Sequence, residues 1–428
     1  MGTQIIILGE YDDYFVSRAD GSLSSIVNGP IAGAPKGIIG GSAALHHAAF
    51  IGPDKFVWVI GENLNNISAL NSVAATLSIT KTAIGNVQQV VAYCNGGSGL
   101  GDGVAVLTLD GKIILMGCTQ SGFRGDGTEG NAAETAPYQV VTPEPIVKIQ
   151  AGSYFFALGK SGTVYRWGGT KANQNWAPYS CGAFSATPDL THIGKMALPE
   201  PIKDIVGGGD WSYAIGQSNR IYGWGYGPLW FGVPSITQNK LGYWDLTAGL
   251  NLPGTLAKLA VGPEATYALM TSGDLYAWGN NTQAAIGNGQ EAAYVQQTKV
   301  ADWGYTSRAL MQTTPVKINP SGVIFADVHA CIADAFYAYA EDSNGYLWAW
   351  GRNKGGVIPD GKNHGTPEQQ SQTPNAWDVL SPVKLTIFPM ATSTPPPTTP
   401  PPVVSNPCPS IVKVQTVITW SDGHVTNY

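Results

Sequence analysis

Short apolar runs that alternate with polar residues recur along most of the chain, in groups that end in glycine. A clear group has an opening run, PIVKI at residues 145–149, and a second run, FAL at 156–158. A tight turn, Ser161-Gly162, then leads to a final run, TVYRWG at 163–168. Alternation with a period of two predicts half-buried strands, and such a turn supplies the positive φ of a tight hairpin. Each group therefore predicts one antiparallel sheet of at least three strands.

Seven groups can be aligned, and this self-similarity indicates the fold class. The four clear groups open with PIVKI (145–149), PIKDI (201–205), LAKL (256–259) and PVKI (315–318), and three weaker groups precede them. Their final glycines are Gly29, Gly61, Gly117, Gly168, Gly225, Gly279 and Gly351. One such sheet cannot bury both of its faces, whereas a closed ring of sheets can, and closure also removes exposed edges. The pattern predicts an all-β, seven-bladed β-propeller over residues 1–390.

The two ends of the predicted ring differ from its middle. Gly29 and Gly61 are closer together than any other neighbouring pair of final glycines, so the first blade has little room for four strands. The run PVKLTI at 382–387 restarts an opening strand, but no further group follows it. We therefore expect this last strand to pair near residues 5–8 or 15–17 and to complete a shared blade.

The order of these motifs resembles the repeat of the regulator of chromosome condensation family. The shared order is Pro-Val-Lys-Ile, Gly, Tyr-Ala-Leu, and Ser-Gly-x-Leu-Tyr-x-Trp-Gly-x-Asn, with Asn280 and Asn353 continuing it after Gly279 and Gly351. The family's Gly-Gln-Leu-Gly segment is reduced to AIGNG at 285–289, and its histidine is not kept in register. The resemblance implies a seven-bladed propeller that recognises proteins across one face.

A proline-rich linker and a short tail follow the predicted propeller. Seven of the 17 residues at 391–407 are proline, which favours a stiff polyproline II spacer. Residues 408–428 hold a β-rich run at 411–420 and a turn at 421–424. This tail is either a truncated or disordered end, or a strand that docks on a sheet edge of its own chain or of a neighbouring copy.

Charge and composition exclude several classes of function. Only 12% of the residues are charged and the formal net charge is −6, without a basic cluster, so we expect no nucleic-acid partner. No apolar run approaches the length of a membrane span, and no secretory signal is visible, either because there is none or because it has been removed. The five cysteines form no CxxC and the histidines no metal-ligand spacing, so we predict no metal and no cofactor. A disulfide between Cys94 and Cys118 remains open.

Aromatic residues fall into two sets that predict different roles. Those in the long insertions after each final glycine are candidate ligand-binding residues, because binding residues concentrate on loops of rigid scaffolds: Trp176, Trp230, Tyr243, Trp244, Trp303 and Trp377. The alternative is that these rings pack the loops onto the propeller. The set at equivalent repeat positions is predicted to be structural: Trp167, Trp224, Trp278 and Trp350.

Together these features predict a non-catalytic binding or scaffold propeller that recognises a protein or a glycan. The low charge and the Pro/Thr spacer favour display outside the cell, on a cell surface or on a virus particle. One alternative is a structural subunit that self-assembles into a fibre or lattice through residues 408–428. Another, implied by the resemblance, is nucleotide exchange on the Ran GTPase with chromatin binding, which the acidic net charge and the lack of a basic arm disfavour.

Overall fold

The structure is a computed structural model. It describes residues 8–10, 13–17, 23–25, 29–44, 47–61, 76–94, 102–134, 136–152, 154–169, 181–183, 189–207, 211–236, 238–290, 311–330, 337–353, 358, 378–385, 418–419 and 425–426.

Within these residues the strands form seven four-stranded antiparallel sheets and one two-stranded hairpin, and neighbouring strands in each sheet are consecutive along the chain. We number the sheets 1 to 7 in chain order. Sheets 1 to 3 are β1 Leu8–Glu10, β2 Asp13–Ser17, β3 Leu23–Ser25, β4 Gly29–Pro30; β5 Gly40–Ala44, β6 His47–Ile51, β7 Val57–Gly61, β8 Thr76–Lys81; and β9 Val87–Cys94, β10 Asp102–Thr108, β11 Ile113–Gly117, β12 Tyr138–Val140. Sheets 4 and 5 are β13 Ile146–Ala151, β14 Phe155–Gly159, β15 Val164–Trp167, β16 Gly194–Lys195; and β17 Ile202–Gly207, β18 Trp211–Gly216, β19 Ile221–Gly225, β20 Trp244–Asp245. Sheets 6 and 7 are β21 Leu256–Val261, β22 Ala265–Met270, β23 Leu275–Asn280, β24 Met311–Lys317; and β25 Phe325–Ala330, β26 Tyr337–Asp342, β27 Leu347–Gly351, β28 Val379–Lys384.

Sheets 2 to 7 are the blades of a propeller. From sheet 2 to sheet 7 the first strand of each sheet lies against the first strand of the next, which is how propeller blades are arranged around a central channel. Apolar side chains of neighbouring sheets share cores; one core, for example, joins Phe155 in sheet 4 to Leu107 in sheet 3. The predicted all-β propeller is therefore confirmed. The structure describes the cores of six blades, whereas the sequence predicted seven.

Sheet 1 has the strand order of a blade, and its first strand lies against β5. Leu23 is its one side chain whose burial is described; it is 1% exposed and packs into the core of sheet 2 with Ile38 and Phe50. Gly29, taken from the sequence as the end of a third strand, lies instead in the fourth strand, β4. The first repeat was therefore misaligned, whereas Gly61, Gly117, Gly225 and Gly351 do end third strands.

The ring closure expected from the sequence is wrong. Strand β28 is the fourth strand of sheet 7, where Lys384 lies opposite Trp348 and Val379 opposite Gly351. The run PVKI at 315–318 was misread in the same way, because Lys317 ends the fourth strand β24 and the opening strand of sheet 7 is β25. First and fourth strands have the same alternation of apolar and polar residues. This alternation does not indicate which neighbouring strand each of them pairs with.

Two smaller features concern the tail and the cysteines. In the tail, strands β29 Ile418–Thr419 and β30 Val425–Thr426 pair with each other as a hairpin. The linker, 391–407, lies outside the described residues, as does most of the tail, so the predicted boundaries stay a prediction.

Cys118 is a free, buried thiol, so it forms no disulfide with Cys94. No helix in the described ranges is long and apolar enough to cross a membrane.

Candidate functional site

The first strands of sheets 3 to 7 carry a β-bulge at the same place. In each, the pairing with the second strand shifts by one residue near the start of the strand. A bulge re-aims the residue that follows it. The residues that follow, which we call the channel ring, are Gln89, Lys148, Asp204, Lys258 and Asp327. From sheet 4 to sheet 7 their charges alternate in sign around the channel.

The channel ring joins neighbouring blades by short polar contacts. Lys148 Nζ lies 2.5 Å from Asp204 Oδ1, and Lys258 Nζ lies 2.6 Å from Asp327 Oδ1. Gln89 donates to the carbonyl oxygen of Ile149 at 2.8 Å and accepts from its N–H at 3.0 Å. These bonds cross from sheet 3 to 4, from 4 to 5 and from 6 to 7, so they connect blades rather than strands of one blade.

The electrostatics of the ring favour a structural role. Burial raises the pKa of Asp327, but His329 and Lys258 outweigh it and hold that pKa well below its ordinary value. Burial lowers the pKa of His329, and the nearby charge of Lys258 lowers it further. Near neutral pH His329 is therefore uncharged, and each ring lysine faces an aspartate. Because each lysine of the channel ring is paired with an aspartate, these pairs leave no net charge to attract a charged ligand. We therefore expect a binding site on a face of the propeller.

The two faces of the propeller carry different connections. The tight turns between second and third strands lie on one side, the hairpin face. The turns from first to second strands and the long connections from third to fourth strands lie on the other side, the loop face. The long connections are the insertions in which the candidate aromatic residues were predicted.

The structure places three of the six candidate aromatic residues and packs each against the propeller. Trp230 lies on a short 3₁₀ turn, Pro228–Phe231, and is half-buried. Tyr243 meets Tyr222 edge-on, with ring centroids 5.5 Å apart. Trp244 lies in β20 rather than in a loop, with its ring 5.0 Å from that of Phe231. The other three, Trp176, Trp303 and Trp377, lie outside the described residues.

Trp211 also belongs to the loop face and was not predicted from the sequence. In the register of each blade, one residue of the second strand faces the final glycine of the third strand. In sheets 2, 3, 5, 6 and 7 this residue is His47, Gly103, Trp211, Ala265 and Tyr337. In sheet 5 the ring of Trp211 stacks on that of Trp230, with centroids 5.3 Å apart and planes 24° apart. Aligning second strands on this position would have singled out Trp211.

The four tryptophans predicted to be structural, Trp167, Trp224, Trp278 and Trp350, are fully buried. Three of their indole N–H groups have protein partners: Trp167 donates to the carbonyl oxygen of Phe123, Trp278 to the hydroxyl of Tyr213 and Trp350 to the carbonyl oxygen of Ala285. Each of these bonds runs to a strand of the preceding blade or to the connection between its third and fourth strands. The recurrent tryptophan therefore lies at the boundary between blades.

An asparagine holds the start of the connection in the last two blades. Asn281 Oδ1 accepts from the N–H of Ile286 at 3.0 Å, and Asn353 Oδ1 accepts from the N–H of Ile358 at 2.6 Å. The equivalent of Asn353 is thus Asn281, one residue beyond the Asn280 assigned from the sequence. Asn280 instead ends β23 and donates to Glu264 at 2.7 Å.

The loop face of sheet 3 is closed by satisfied polar groups. Arg124 donates two hydrogen bonds of 2.8 Å to Glu134, which also accepts from Asn131 at 3.2 Å. Burial raises the pKa of Glu134, but the bonds from Arg124 and Thr119 outweigh it and lower that pKa. Among the described residues, no cluster of three His, Cys, Asp or Glu side chains is placed to hold a metal ion.

Fold and site together define an all-β propeller whose blades are joined by channel ion pairs and whose loop face carries stacked aromatic rings. The model of the regulator of chromosome condensation (RCC1) repeat matches residues 257–290, which cover most of sheet 6. The resemblance to the RCC1 repeat that the sequence motifs predicted is therefore confirmed.

Curated relatives share the repeat at low identity. The regulator of chromosome condensation of Xenopus laevis is 26% identical over 282 residues, which are 58% of this chain and 61% of that protein. Human E3 ubiquitin-protein ligase HERC2 is 24% identical over 328 residues, which are 73% of this chain but 6% of that protein. The chain therefore spans less than two thirds of either relative.

Solved structures support the fold alone, because their identity to this chain is low. Yeast RCC1 (Prp20), solved bound to Kap60, has a TM-score of 0.60 at 18% identity and covers 82% of this chain and 75% of its own. Human WBSCR16 has a TM-score of 0.61 at 15% identity and covers 85% of this chain and 84% of its own.

The relatives correct the expected location. The matched proteins are regulators of chromosome condensation, and one solved relative, Prp20p of Saccharomyces cerevisiae, is described by its binding to Gsp1p and histones. These names point away from the outside of a cell or a virus particle. The expectation of an extracellular, cell-surface or virion location is therefore wrong. It rested on the low charge and the Pro/Thr spacer alone.

Proposed function

We propose that this chain is a non-catalytic binding propeller that recognises a protein partner through its loop face. The observation that carries the proposal is the contrast between a channel whose charges are paired and a loop face that presents the half-buried ring of Trp230. Aromatic rings on loops of a rigid scaffold are frequent anchors of protein interfaces. The binding of Prp20p to Gsp1p and histones supports a protein partner.

The experiment measures binding of the full chain to purified Gsp1p and to purified core histones by biolayer interferometry. We expect one of them to bind, and Trp230→Ala to weaken that binding at least tenfold while a thermal melt shows that the variant still folds. Leu109→Ala is the control, because Leu109 is a 54% exposed apolar residue on the hairpin face. Equal loss for both variants, or loss for Leu109→Ala alone, would move the interface away from the loop face.

A second candidate is exchange-factor-like activity, and the relationship to the Xenopus regulator of chromosome condensation favours it. Such activity is also binding without covalent chemistry, because it requires only that the propeller stabilise a nucleotide-free GTPase. Release of a fluorescent GDP analogue from Gsp1p tests it. Acceleration by the full chain supports this function, and an unchanged release rate beside measurable binding would leave recognition alone.

We further propose that sheet 1 completes the ring as a seventh blade. Its four strands in chain order and the burial of Leu23 in the core of sheet 2 support this. Deletion of residues 1–30 should then lower the melting temperature of the whole propeller. An unchanged melting temperature would leave sheet 1 as an appendage. Carbohydrate binding and assembly through residues 408–428 have no support among the relatives.

A further inference from the structure

The stacked pair Trp211 and Trp230 has unsatisfied hydrogen-bonding capacity. Trp211 is 7% exposed, and the indole Nε1 atoms of both residues are buried without a hydrogen-bond partner in the part of the chain that the structure describes. An indole N–H can only donate, and a buried donor without an acceptor costs about 1–3 kcal/mol. Two such donors therefore belong to one stacked pair, and one ring of that pair is partly exposed on the loop face.

The backbone beneath the pair is held in place. Phe231, next to Trp230, is fully buried, and the Tyr213 hydroxyl donates to the carbonyl oxygen of Trp230 at 3.3 Å. Left-handed glycines, Gly227 and Gly232, stand on both sides of the turn. Opening of the pair would therefore involve rotation of the Trp230 side chain rather than movement of this backbone.

A cation lies next to the same turn. Asn239 Oδ1 accepts from the N–H of Gly227 at 3.0 Å, and this bond brings the connection 238–240 to the start of the turn. The following residue, Lys240, is exposed. Two donors that need acceptors and an exposed ammonium group are complementary to an anion that carries several acceptor oxygens, such as a carboxylate.

We propose that Trp211, Trp230 and Lys240 form a docking site for a carboxylate side chain of an acidic segment in a partner protein. The carboxylate accepts from the two indole N–H groups while Lys240 neutralises its charge, and Trp230 covers the aliphatic part of the bound side chain. This proposal rests on the proposed function and specifies the chemistry of the partner at the loop face.

The probe is a peptide of ten glutamates, and the isosteric peptide of ten glutamines is its control. The full chain, labelled with ¹⁵N at its indoles, is titrated with each peptide, and the Trp211 and Trp230 signals are assigned from Trp211→Phe and Trp230→Phe. We expect the glutamate peptide to move both indole N–H signals downfield and the glutamine peptide to bind at least tenfold more weakly. Each Phe variant keeps an aromatic ring but removes the donor, and should weaken binding about five- to tenfold.

Matched variants separate the donors from general effects. Trp224→Phe makes the same substitution at a fully buried residue of the same sheet, outside the stacked pair, and should leave binding unchanged. Lys240→Gln should weaken binding and reduce its dependence on salt. Melting temperatures of all variants show whether they fold. The proposal is overturned if folded Trp211→Phe and Trp230→Phe bind the glutamate peptide like the unsubstituted chain, or if the glutamine peptide binds equally well. It is also overturned if chitohexaose, and not the glutamate peptide, moves the two signals.

The outcome is separable from that of the proposed function. If Gsp1p or histones bind in a manner sensitive to Trp230→Ala while the glutamate peptide leaves both indole signals in place, the loop face binds proteins by another chemistry. If the peptide moves both signals while neither protein binds, the acidic docking site stands and the partner is a different protein.

Discussion

A Cβ atom on Gly232 would lie 2.6 Å from Cδ1 of Trp278, so the backbone of one blade's connection rests directly on the tryptophan of the next blade. The same relationship recurs in three other pairs. The distance from a Cβ atom on the glycine to Cδ1 of the tryptophan would be 3.2 Å for Gly125 and Trp167, 2.9 Å for Gly182 and Trp224, and 2.5 Å for Gly287 and Trp350. Each of these glycines also has a positive φ. The recurrent tryptophan thus packs beneath a neighbouring blade, and the glycine that permits this contact comes from the preceding repeat.

Replacement of this glycine should destabilise the propeller. We expect Gly232→Ala to cost about 2–4 kcal/mol, because the methyl group meets the Trp278 ring and the left-handed backbone becomes strained. Gly254→Ala is the matched control: its φ is 87°, but nothing lies within 4 Å of the added Cβ. Urea unfolding measures both variants. An equal loss of stability would assign the effect to backbone strain alone and not to the ring contact.

Removal of the ring itself should have a larger effect. Trp278 is fully buried and donates to the Tyr213 hydroxyl at 3.2 Å. We expect Trp278→Ala to lower the free energy of unfolding by about 3–5 kcal/mol. Full stability with loss of partner binding only would contradict the structural assignment.

Loss of an anion from the channel ring should destabilise more than loss of an exposed one. Asp327→Ala leaves Lys258 half-buried without its aspartate. We expect a cost of about 1–3 kcal/mol, less than for a fully buried pair, because the two side chains are 29% and 24% exposed. Asp274→Ala breaks a contact of the same 2.6 Å length, Lys317 with Asp274, whose side chains are more exposed. That control should cost under about 1 kcal/mol. Urea unfolding of both variants gives the comparison, and equal costs would contradict the role of the ring.

The stability of the chain should depend on pH through Asp378. Burial raises the pKa of this carboxyl to about 7, from an ordinary value of 3.8. Between about pH 4 and pH 7 the folded state therefore binds more protons than the unfolded state, and stability falls as pH rises through this window. Asp378→Asn removes the titration. We expect it to stabilise the chain at pH 8 and to change little at pH 5. A gain of equal size at both values would show that Asp378 does not titrate in this window.

Truncation should distinguish the last blade from the residues that follow it. The last described residue of the propeller, Leu385, is 1% exposed, and its N–H donates to the carbonyl oxygen of Leu347 at 2.9 Å. A chain that ends at residue 389 should melt like the full chain, whereas one that ends at Gly351 lacks β28 and should melt at least several degrees lower. Differential scanning calorimetry of the three chains measures this. Equal melting of the full chain and the chain ending at Gly351 would show that β28 contributes little to sheet 7.

Sequence pattern alone located most of the strands, because alternation and tight-turn glycines act over a few residues. The group at 145–168 corresponds to β13, β14 and β15, and the turn at Ser161-Gly162 has a glycine φ of 84°. The recurrence of these local patterns also determined the fold class, since repeated sheets with one pattern bury their faces only against one another. The family resemblance depended on the same local motifs.

Contacts between residues that are distant in the sequence were determined only by the tertiary structure. In the sequence, nothing distinguishes the charged residues of the channel ring from ordinary solvated charges. Only the bulge that successive first strands share brings Lys148 into contact with Asp204, and Lys258 into contact with Asp327. Trp211 and Trp230 belong to a strand and a connection, and their stacking depends on how that connection folds back over sheet 5. The number of blades and the assignment of β28 likewise depend on which strand edges meet. Local sequence determines the conformation of each strand, whereas the choice among alternative neighbours depends on free energies summed over the whole ring.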